Sequence, residues 1–340
     1  MIKVAVIGCG YWGPNLIRNL FEIKEAEVSY CCDLQASQLQ SAKDRYPTLK
    51  ITKDYKDILR DADIDAVVIA TPADTHYGIA KEFLLAGKHV MVEKPLTFDL
   101  GQAEELVDIS KKAGKILMVG HTFEYNPAVI KAREYIEKGE LGKVYYLASR
   151  RVNLGIVRSD INALWNLAPH DISILIYLIG SMPEVVKAWG SAFIQDDIED
   201  VVFLYLHFPG NITAHVQVSW LDPNKIRETV IVGSKKMIVY DDIDNDGKIK
   251  IYDKGVDKIE YNNFQSPVYA DYQLRLRTGD LLIPKIDSYE PLKKECQHFI
   301  DCIRQNKIPL TDGENGLRVV KVLAAAQKSL KNNGTIVHIK

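Results

Sequence analysis

Apolar residues in the first 120 positions gather in short, nearly continuous runs, at 2–7, 28–32, 66–70, 89–93 and 116–120. Runs of this length, rich in valine and isoleucine, predict strands buried on both faces. Between them, residues 14–22, 35–45, 75–86 and 99–113 space their apolar side chains three and four apart, as amphipathic helices do. Alternation of strand and helix predicts an α/β fold with a doubly wound parallel sheet. Gly87 and Gly114 stand where two helices would end, and Thr75 and Asp99 where two would begin.

The pattern changes after residue 122. A helical stretch from Pro127 to Lys138 stops at Gly139, and runs with strand character follow at 143–152, 184–193, 199–208, 211–220, 228–233 and 236–241. Turns such as Phe208-Pro209-Gly210-Asn211 separate closely spaced strands and predict a large open, mainly antiparallel sheet. One helix, near 169–179, interrupts these strands, with Pro169 marking its start. Residues 242–288 are polar, with two or more short strands and an arm, and helices near 290–305 and 314–331 close the chain. Two domains are expected, 1–122 and 123–340, the second an α+β unit for substrate binding and oligomerisation. The closing helices, 290–331, are free to pack back on the first domain. An open sheet needs its second face covered, and self-association to a homodimer or homotetramer is the usual way.

Candidate chemistry sits at the strand ends. The run Ile2–Ile7 leads into Gly8-Cys9-Gly10-Tyr11-Trp12-Gly13, a G-x-G-x-x-G turn followed by helical spacing, and Asp33 ends the next strand twenty residues on. Strand, glycine turn, helix and acidic residue together form a dinucleotide-binding fingerprint. Gly8 permits the tight turn, Gly10 the approach of a pyrophosphate and Gly13 close packing of helix on strand. The helix N-terminus favours the anion. Asp33 suits a ribose hydroxyl and repels a 2′-phosphate, with Leu34 rather than an arginine beside it, so NAD is expected over NADP. The turn Thr71-Pro72-Ala73-Asp74-Thr75-His76 borders the same crevice. Lys94, in Glu93-Lys94-Pro95, is held extended by the proline and projects from a strand end. It reads either as a solvated lysine or as a proton acceptor for a substrate hydroxyl. His170 follows Asn166 by four residues. It is either a satisfied histidine or a proton carrier.

Composition narrows the partners. At 340 residues the chain has room for both domains. A net charge of −2 with 26% charged residues gives no basic stripe for nucleic acid and no polybasic cluster for a membrane surface. The longest apolar runs fall short of a bilayer span, and the N-terminus enters a core strand at its second residue rather than a signal peptide. The five cysteines, Cys9, Cys31, Cys32, Cys296 and Cys302, form no C-x-x-C and no Cys/His cluster with metal spacing. Reduced thiols, a cytoplasmic protein and no metal are therefore expected, with Cys31 and Cys32 as small core residues.

The glycine fingerprint, Thr71-Pro72 with His76, Glu93-Lys94-Pro95 and His170 together resemble the glucose-fructose oxidoreductase/inositol dehydrogenase/rhizopine-catabolism (Gfo/Idh/MocA) family over nearly the whole chain. The resemblance extends to the closing helix that begins Pro291-Leu292-Lys293-Lys294-Glu295 and the turn Ile308–Gly313. It implies an NAD(P)-dependent oxidoreductase acting on a sugar, polyol or sugar-nucleotide hydroxyl, with Lys94 and His170 as catalytic residues. Many members carry an aspartate four residues before that histidine, where this chain has Asn166. An amide orients an imidazole but does not stabilise its cation, which shifts weight to Lys94. The implied cofactor set is Gly8, Gly10, Tyr11, Trp12, Gly13, Asp33, Leu34, Thr71, Pro72, His76, Glu93, Lys94 and His121. Segments Gly10–Asn15, Arg151–Gly155 and Trp165–Asp171 are similar to a subgroup that oxidises C3 of UDP-N-acetylglucosamine for surface amino-sugar biosynthesis, its ketone passed to an aminotransferase. Lys94, Arg150, Arg151, Asn153, Arg158, Asn166 and His170 are the substrate candidates. The three arginines suit a diphosphate or are solvated charges. A uronate sugar nucleotide, a free polyol such as inositol, and an NAD-binding regulatory protein without turnover are the alternatives.

Overall fold

Strand β1 (Ile2–Ile7) is the centre of the first sheet, and Val4, Ala5 and Val6 are wholly buried, as its unbroken apolar run requires. In the computed structural model, which describes residues 1–260 and 272–339, the chain continues through α1 (Gly13–Phe21), β2 (Ala26–Cys32), α2 (Ala36–Arg45), β3 (Lys50–Thr52), α3 (Tyr55–Arg60) and β4 (Ala66–Ile69). It then forms α4 (His76–Leu85), β5 (His89–Glu93), α5 (Leu100–Ala113) and β6 (Leu117–Gly120). The six strands pair in parallel in the order β3-β2-β1-β4-β5-β6, a doubly wound Rossmann arrangement. The order reverses beside β1, so the crevice at the carboxyl ends of β1 and β4 lies at the switch point. β3 and α3 have no counterpart in the sequence pattern, because three residues around a single Ile51 carry no readable period.

Local signals set the helix ends. Asp99 accepts a hydrogen bond from Gln102 N–H at 2.9 Å and caps α5, which Gly114 ends in the left-handed conformation. Thr75 precedes α4, but its hydroxyl donates to the Pro72 carbonyl at 2.7 Å and does not cap the helix as its position suggested.

The second unit holds α6 (Pro127–Glu137), β7 (Val144–Val152), α7 (Ala163–Ile179), β8 (Val185–Ser191), β9 (Val201–Phe208), β10 (Ile212–Ser219), β11 (Ile226–Gly233), β12 (Met237–Asp241), β13 (Ile249–Glu260) and β14 (Tyr272–Leu282). The chain closes with α8 (Pro291–Gln305), α9 (Gly313–Lys331) and β15 (Val337–His338). Nine strands form one sheet, β14-β13-β12-β11-β7-β10-β9-β8-β15, antiparallel except where β7 meets β10. Two features depart from the sequence pattern. β13 and β14 are one long hairpin of 12 and 11 residues in place of short strands; the part of the expected arm at 261–271 lies outside the described residues. α7 begins at Ala163, so Pro169 lies inside it. The helix starts early because the Asn162 side chain accepts from Trp165 N–H, and because Leu164, Trp165 and Ala168 are buried.

By internal contacts the first unit comprises Met1–Asn126 with Ser288–Gln327, and the second Pro127–Asp287 with Lys328–Lys340. α8 packs on α1: Leu292, Cys296, Phe299 and Ile300 share a core cluster with Leu16, Ile17 and Leu20. At its head the Arg18 guanidinium donates two bonds, of 2.9 and 2.6 Å, to the Glu290 carboxylate. Among the described residues, no helix is long and apolar enough to cross a membrane.

Candidate active site

The glycine turn is built as its sequence demands. Gly8 has a φ of +95°, and a Cβ there would sit 2.6 Å from the backbone of Ala70. A Cβ on Gly13 would overlap the Gly8 carbonyl oxygen, so α1 approaches β1 only with glycine at that position. Gly10 is different, because nothing lies within 4 Å of where its Cβ would be. That open side is the cradle expected for a pyrophosphate. α1 begins at Trp12 with no side-chain cap, leaving its first turn to a ligand. Asp33 stands at the end of β2, one carboxylate oxygen accepting from Cys9 N–H at 2.7 Å and the other from Gln35 N–H at 2.8 Å. It fixes the glycine turn as well as facing the crevice. Tyr11 and Leu34 beside it are exposed, and Trp12 packs on the core of α1.

Cys31 pairs with Val6 in the parallel register of β1 and β2, and the turn at Gly8 brings the Cys9 sulfur back against that of Cys31. Cys32, Cys296 and Cys302 are free and buried, and burial with Asp33 nearby pushes the Cys32 thiol up to about 12.

Lys94 leaves the end of β5 through a cis peptide bond to Pro95. Its charge acts on Glu93, His121 and His76, which sit around it at the ends of β5 and β6 and the start of α4. His76 is a strut. It is wholly buried, one ring nitrogen 2.9 Å from the Pro95 carbonyl and the other 3.0 Å from the Thr71 carbonyl. It thus ties the turn at Thr71-Pro72 to the backbone that carries Lys94. Burial pushes Glu93 up to about 7, while Lys94 and the Trp12 indole pull the other way. Glu93 lies directly against the Cα of Gly120, its partner in the β5–β6 register. His121, next along, is buried, and both its ring nitrogens lack a hydrogen-bond partner among the described residues. Burial, then the charge of Lys94, push it down to about 3, so the ring is neutral.

Two buried carboxylates nearby were not anticipated. Glu295 of α8 accepts from the Thr122 hydroxyl at 2.6 Å, and Glu124 accepts from the Asn315 amide at 3.1 Å. Burial, then Glu93 and Glu124, raise Glu295 well above the usual carboxylate range. The signal was present in the sequence: Glu295 falls on the apolar stripe Leu292, Cys296, Phe299 and Ile300 of α8, where a solvated carboxylate has no place.

In the second unit, Asn166 and His170 are one helical turn apart on α7. The Asn166 carbonyl oxygen accepts from the Trp220 indole N–H at 3.1 Å. The arginines do not gather as expected. Arg150 and Arg151 are neighbours on β7 and therefore point to opposite faces of the sheet. Arg151 is buried, its Nε donating to Asp171 Oδ2 at 2.7 Å, which withdraws it from the substrate candidates. Arg150 is in register with Gln217 and Glu228, in a row that continues through Phe203 to Trp189 on the uncovered face, so it too is withdrawn. Arg158, half-buried, forks onto Asp160 at 2.8 and 2.5 Å. Asn153 follows β7 and is anchored through its backbone to Ser219.

The residues present fit a dinucleotide: an open cradle at Gly10, an uncapped helix start, a carboxylate at the end of β2 and unpaired buried nitrogens on His121. Comparison with known proteins agrees. The profile described as oxidoreductase family, NAD-binding Rossmann fold, matches residues 2–121, and that of the GFO/IDH/MocA C-terminal domain matches residues 129–239. The chain is similar to the uncharacterized oxidoreductase YrbE of Bacillus subtilis, 27% identical over 338 residues, which is 97% of this chain and 94% of that one. It is 24% identical over 346 residues to the myo-inositol 2-dehydrogenase of Thermotoga maritima, covering 98% of each. It is 27% identical over 266 residues to the UDP-N-acetylglucosamine 3-dehydrogenase of Acidithiobacillus ferrooxidans, covering 78% of this chain and 77% of that one. The solved structure of an enzyme so named from that organism has the same fold, with a TM-score of 0.80 at 21% identity over 97% of this chain and 98% of that one.

Two outcomes follow from this geometry. Gly10→Ala leaves the thermal midpoint within about 2 °C of wild type and weakens NAD binding tenfold or more, whereas Gly13→Ala lowers the midpoint itself. Calorimetric unfolding and NAD titration check the pair; equal effects from both glycines would refute the assignment of Gly10 to the ligand. His121 binds its proton near 3 when folded and near 6.5 when unfolded, so acid takes up more protons in the unfolded chain and destabilises the fold below pH 6.5. His121→Asn removes that linkage. Relative to wild type the variant gains roughly 2–3 kcal/mol between pH 6.5 and pH 4. A difference in stability that stays constant with pH would contradict it.

Proposed function

The chain belongs to the GFO/IDH/MocA oxidoreductase family, and we propose that it oxidises the C3 hydroxyl of UDP-N-acetylglucosamine to the 3-keto sugar, with Lys94 accepting the hydroxyl proton. The observation that carries this reading is Lys94 itself: a lysine at the carboxyl end of β5, on the same sheet edge as the glycine turn and Asp33. The choice of sugar is supported by the segments Gly10–Asn15, Arg151–Gly155 and Trp165–Asp171 and by the likeness to the Acidithiobacillus enzyme.

NAD, when bound, supplies the hydride acceptor. Gly10 and the first turn of α1 would hold its pyrophosphate, Asp33 its adenosine ribose, and His121 and Glu93 border the end where Lys94 stands. Asp33 leaves no room for a ribose 2′-phosphate without charge repulsion, which favours NAD over NADP. Lys94 takes the substrate proton from a setting in which His121 is neutral and Glu93 is its carboxylate neighbour. His170 serves as a second proton carrier, positioned on α7 with Asn166 one turn before it. Arg158 remains the arginine for a diphosphate, because its pair with Asp160 is half-exposed and such pairs exchange partners at little cost.

A free polyol such as inositol is the second reading. It is favoured by the withdrawal of Arg150 and Arg151 from the site and by the likeness to the Thermotoga inositol enzyme. The third, a regulatory NAD-binding protein, predicts binding without turnover.

We also propose that a second copy of this chain covers the open face of the nine-stranded sheet. On that face Trp189 is 57%, Phe203 49% and Tyr205 45% exposed, a contiguous aromatic patch of the kind that marks an interface.

Lys94→Ala lowers kcat about a hundred- to ten-thousand-fold and leaves NAD affinity nearly unchanged. NADH formation is followed over a panel of UDP-sugars and free polyols, with a glutamate-dependent aminotransferase to draw off the ketone. Turnover of UDP-N-acetylglucosamine supports the first reading, turnover of inositol alone the second, and NAD binding without any turnover the third. Retained activity in the alanine variant removes Lys94 from the mechanism. In light scattering the protein has a mass of two or four times 38.4 kDa, and Trp189→Glu with Phe203→Glu reduces it toward one. A wild-type monomer refutes the interface.

A further inference from the structure

Asp171, one residue past His170 on α7, is a buried carboxylate with a partner on each oxygen. It is 2% exposed. Its Oδ1 accepts from the Ser149 hydroxyl at 2.7 Å and its Oδ2 from Arg151 Nε at 2.7 Å. Ser149 Oγ lies 3.1 Å from Thr229 Oγ1, its partner in the β7–β11 register. Two strands thus grip one carboxylate of the helix through an ion pair and a pair of hydroxyls. Around it Ile172, Leu175 and Ile176 on α7, Leu147 on β7, and Val216 and Val218 on β10 are buried.

A buried ion pair contributes little to net stability, because desolvating both charges offsets their attraction, and apolar side chains of similar volume do as well or better. What it supplies is a fixed register, since the charges meet in one geometry only. The location makes that useful. Pro169 has no N–H to give to the Trp165 carbonyl, so α7 lacks a backbone hydrogen bond in the turn just before His170. The helix is least constrained by its own backbone where a proton carrier must be held within a fraction of an ångström.

We propose that Asp171, with Arg151, Ser149 and Thr229, is a positioning device for His170. The clamp fixes the rotation and height of that turn on the sheet, and through them the direction and tautomer of the imidazole. This rests on the reading of His170 as a site residue, but its test needs no substrate, so the two fail separately. A failure of His170 in catalysis shows in the NADH assay of His170→Ala.

The test is ring nitrogen NMR of the full chain labelled in its eight histidines, with His170 assigned by its loss in His170→Gln. Wild type gives one sharp pair of His170 ring signals with a defined tautomer ratio. Asp171→Asn broadens or splits that pair and moves the ratio at least twofold. The double variant Arg151→Met, Asp171→Leu restores the unfolding midpoint to wild type or above and keeps the disturbed signals. A single sharp pair at the wild-type ratio in Asp171→Asn, or its return in the double variant, overturns the proposal and leaves the ion pair a packing feature. If Asp171→Asn does not fold, the double variant and Ser149→Ala are read by the same criterion.

Discussion

The Cα of Gly13 lies against the carbonyl of Gly8, with no space for a side chain between α1 and β1. Much of the first unit's crevice depends on that approach. It sets the helix start at the carboxyl edge of the sheet and leaves Gly10 facing open space. It also brings Cys9 back over β2, where its N–H reaches Asp33 and its sulfur reaches Cys31. Asp33 therefore holds the turn with both of its carboxylate oxygens at the edge of the crevice. His76 lies between two backbone carbonyls, that of Thr71 after β4 and that of Pro95 beside Lys94.

Around Lys94 the governing quantity is desolvation. Glu93, His121 and Glu295 are all pushed toward their neutral forms by burial; the charge of Lys94 adds to that shift at His121 and opposes it at Glu93. The cost is borne by the fold: neutral buried histidines and carboxyls are linked to pH, in opposite senses, and the stability of the first unit reflects their balance.

The second unit is ordered by the alternation of its strands. Leu147, Ser149 and Arg151 face α7 and are buried, while Tyr146 and Arg150 face away. One face carries the ion pair that grips α7 beside His170, and the other carries the aromatic row Trp189, Phe203 and Tyr205. Adjacent arginines that look like one cluster in the sequence serve opposite sides of a sheet.

The sequence by itself determined the parallel sheet and the glycine turn, because strands buried on both faces must be apolar throughout and a turn with no room for Cβ must be glycine. The positions of Asp33 and Lys94 at strand ends and the approximate limits of nearly every helix were legible for the same reason: the constraint is local, and it leaves a local mark. β3 was not legible, since three residues are too few to show a period. The early start of α7 was not, since the asparagine cap and the burial of Leu164 and Trp165 exist only once the helix meets the sheet. The contact of Cys9 with Cys31 needed the register of β1 against β2, the burial of Arg151 needed a partner twenty residues away on another element, and the neutrality of His121 needed the walls around it. These belong to the tertiary structure because each depends on which side of an element a residue faces, or on what lies across from it. A one-dimensional pattern records the first only where period and burial coincide, and the second not at all.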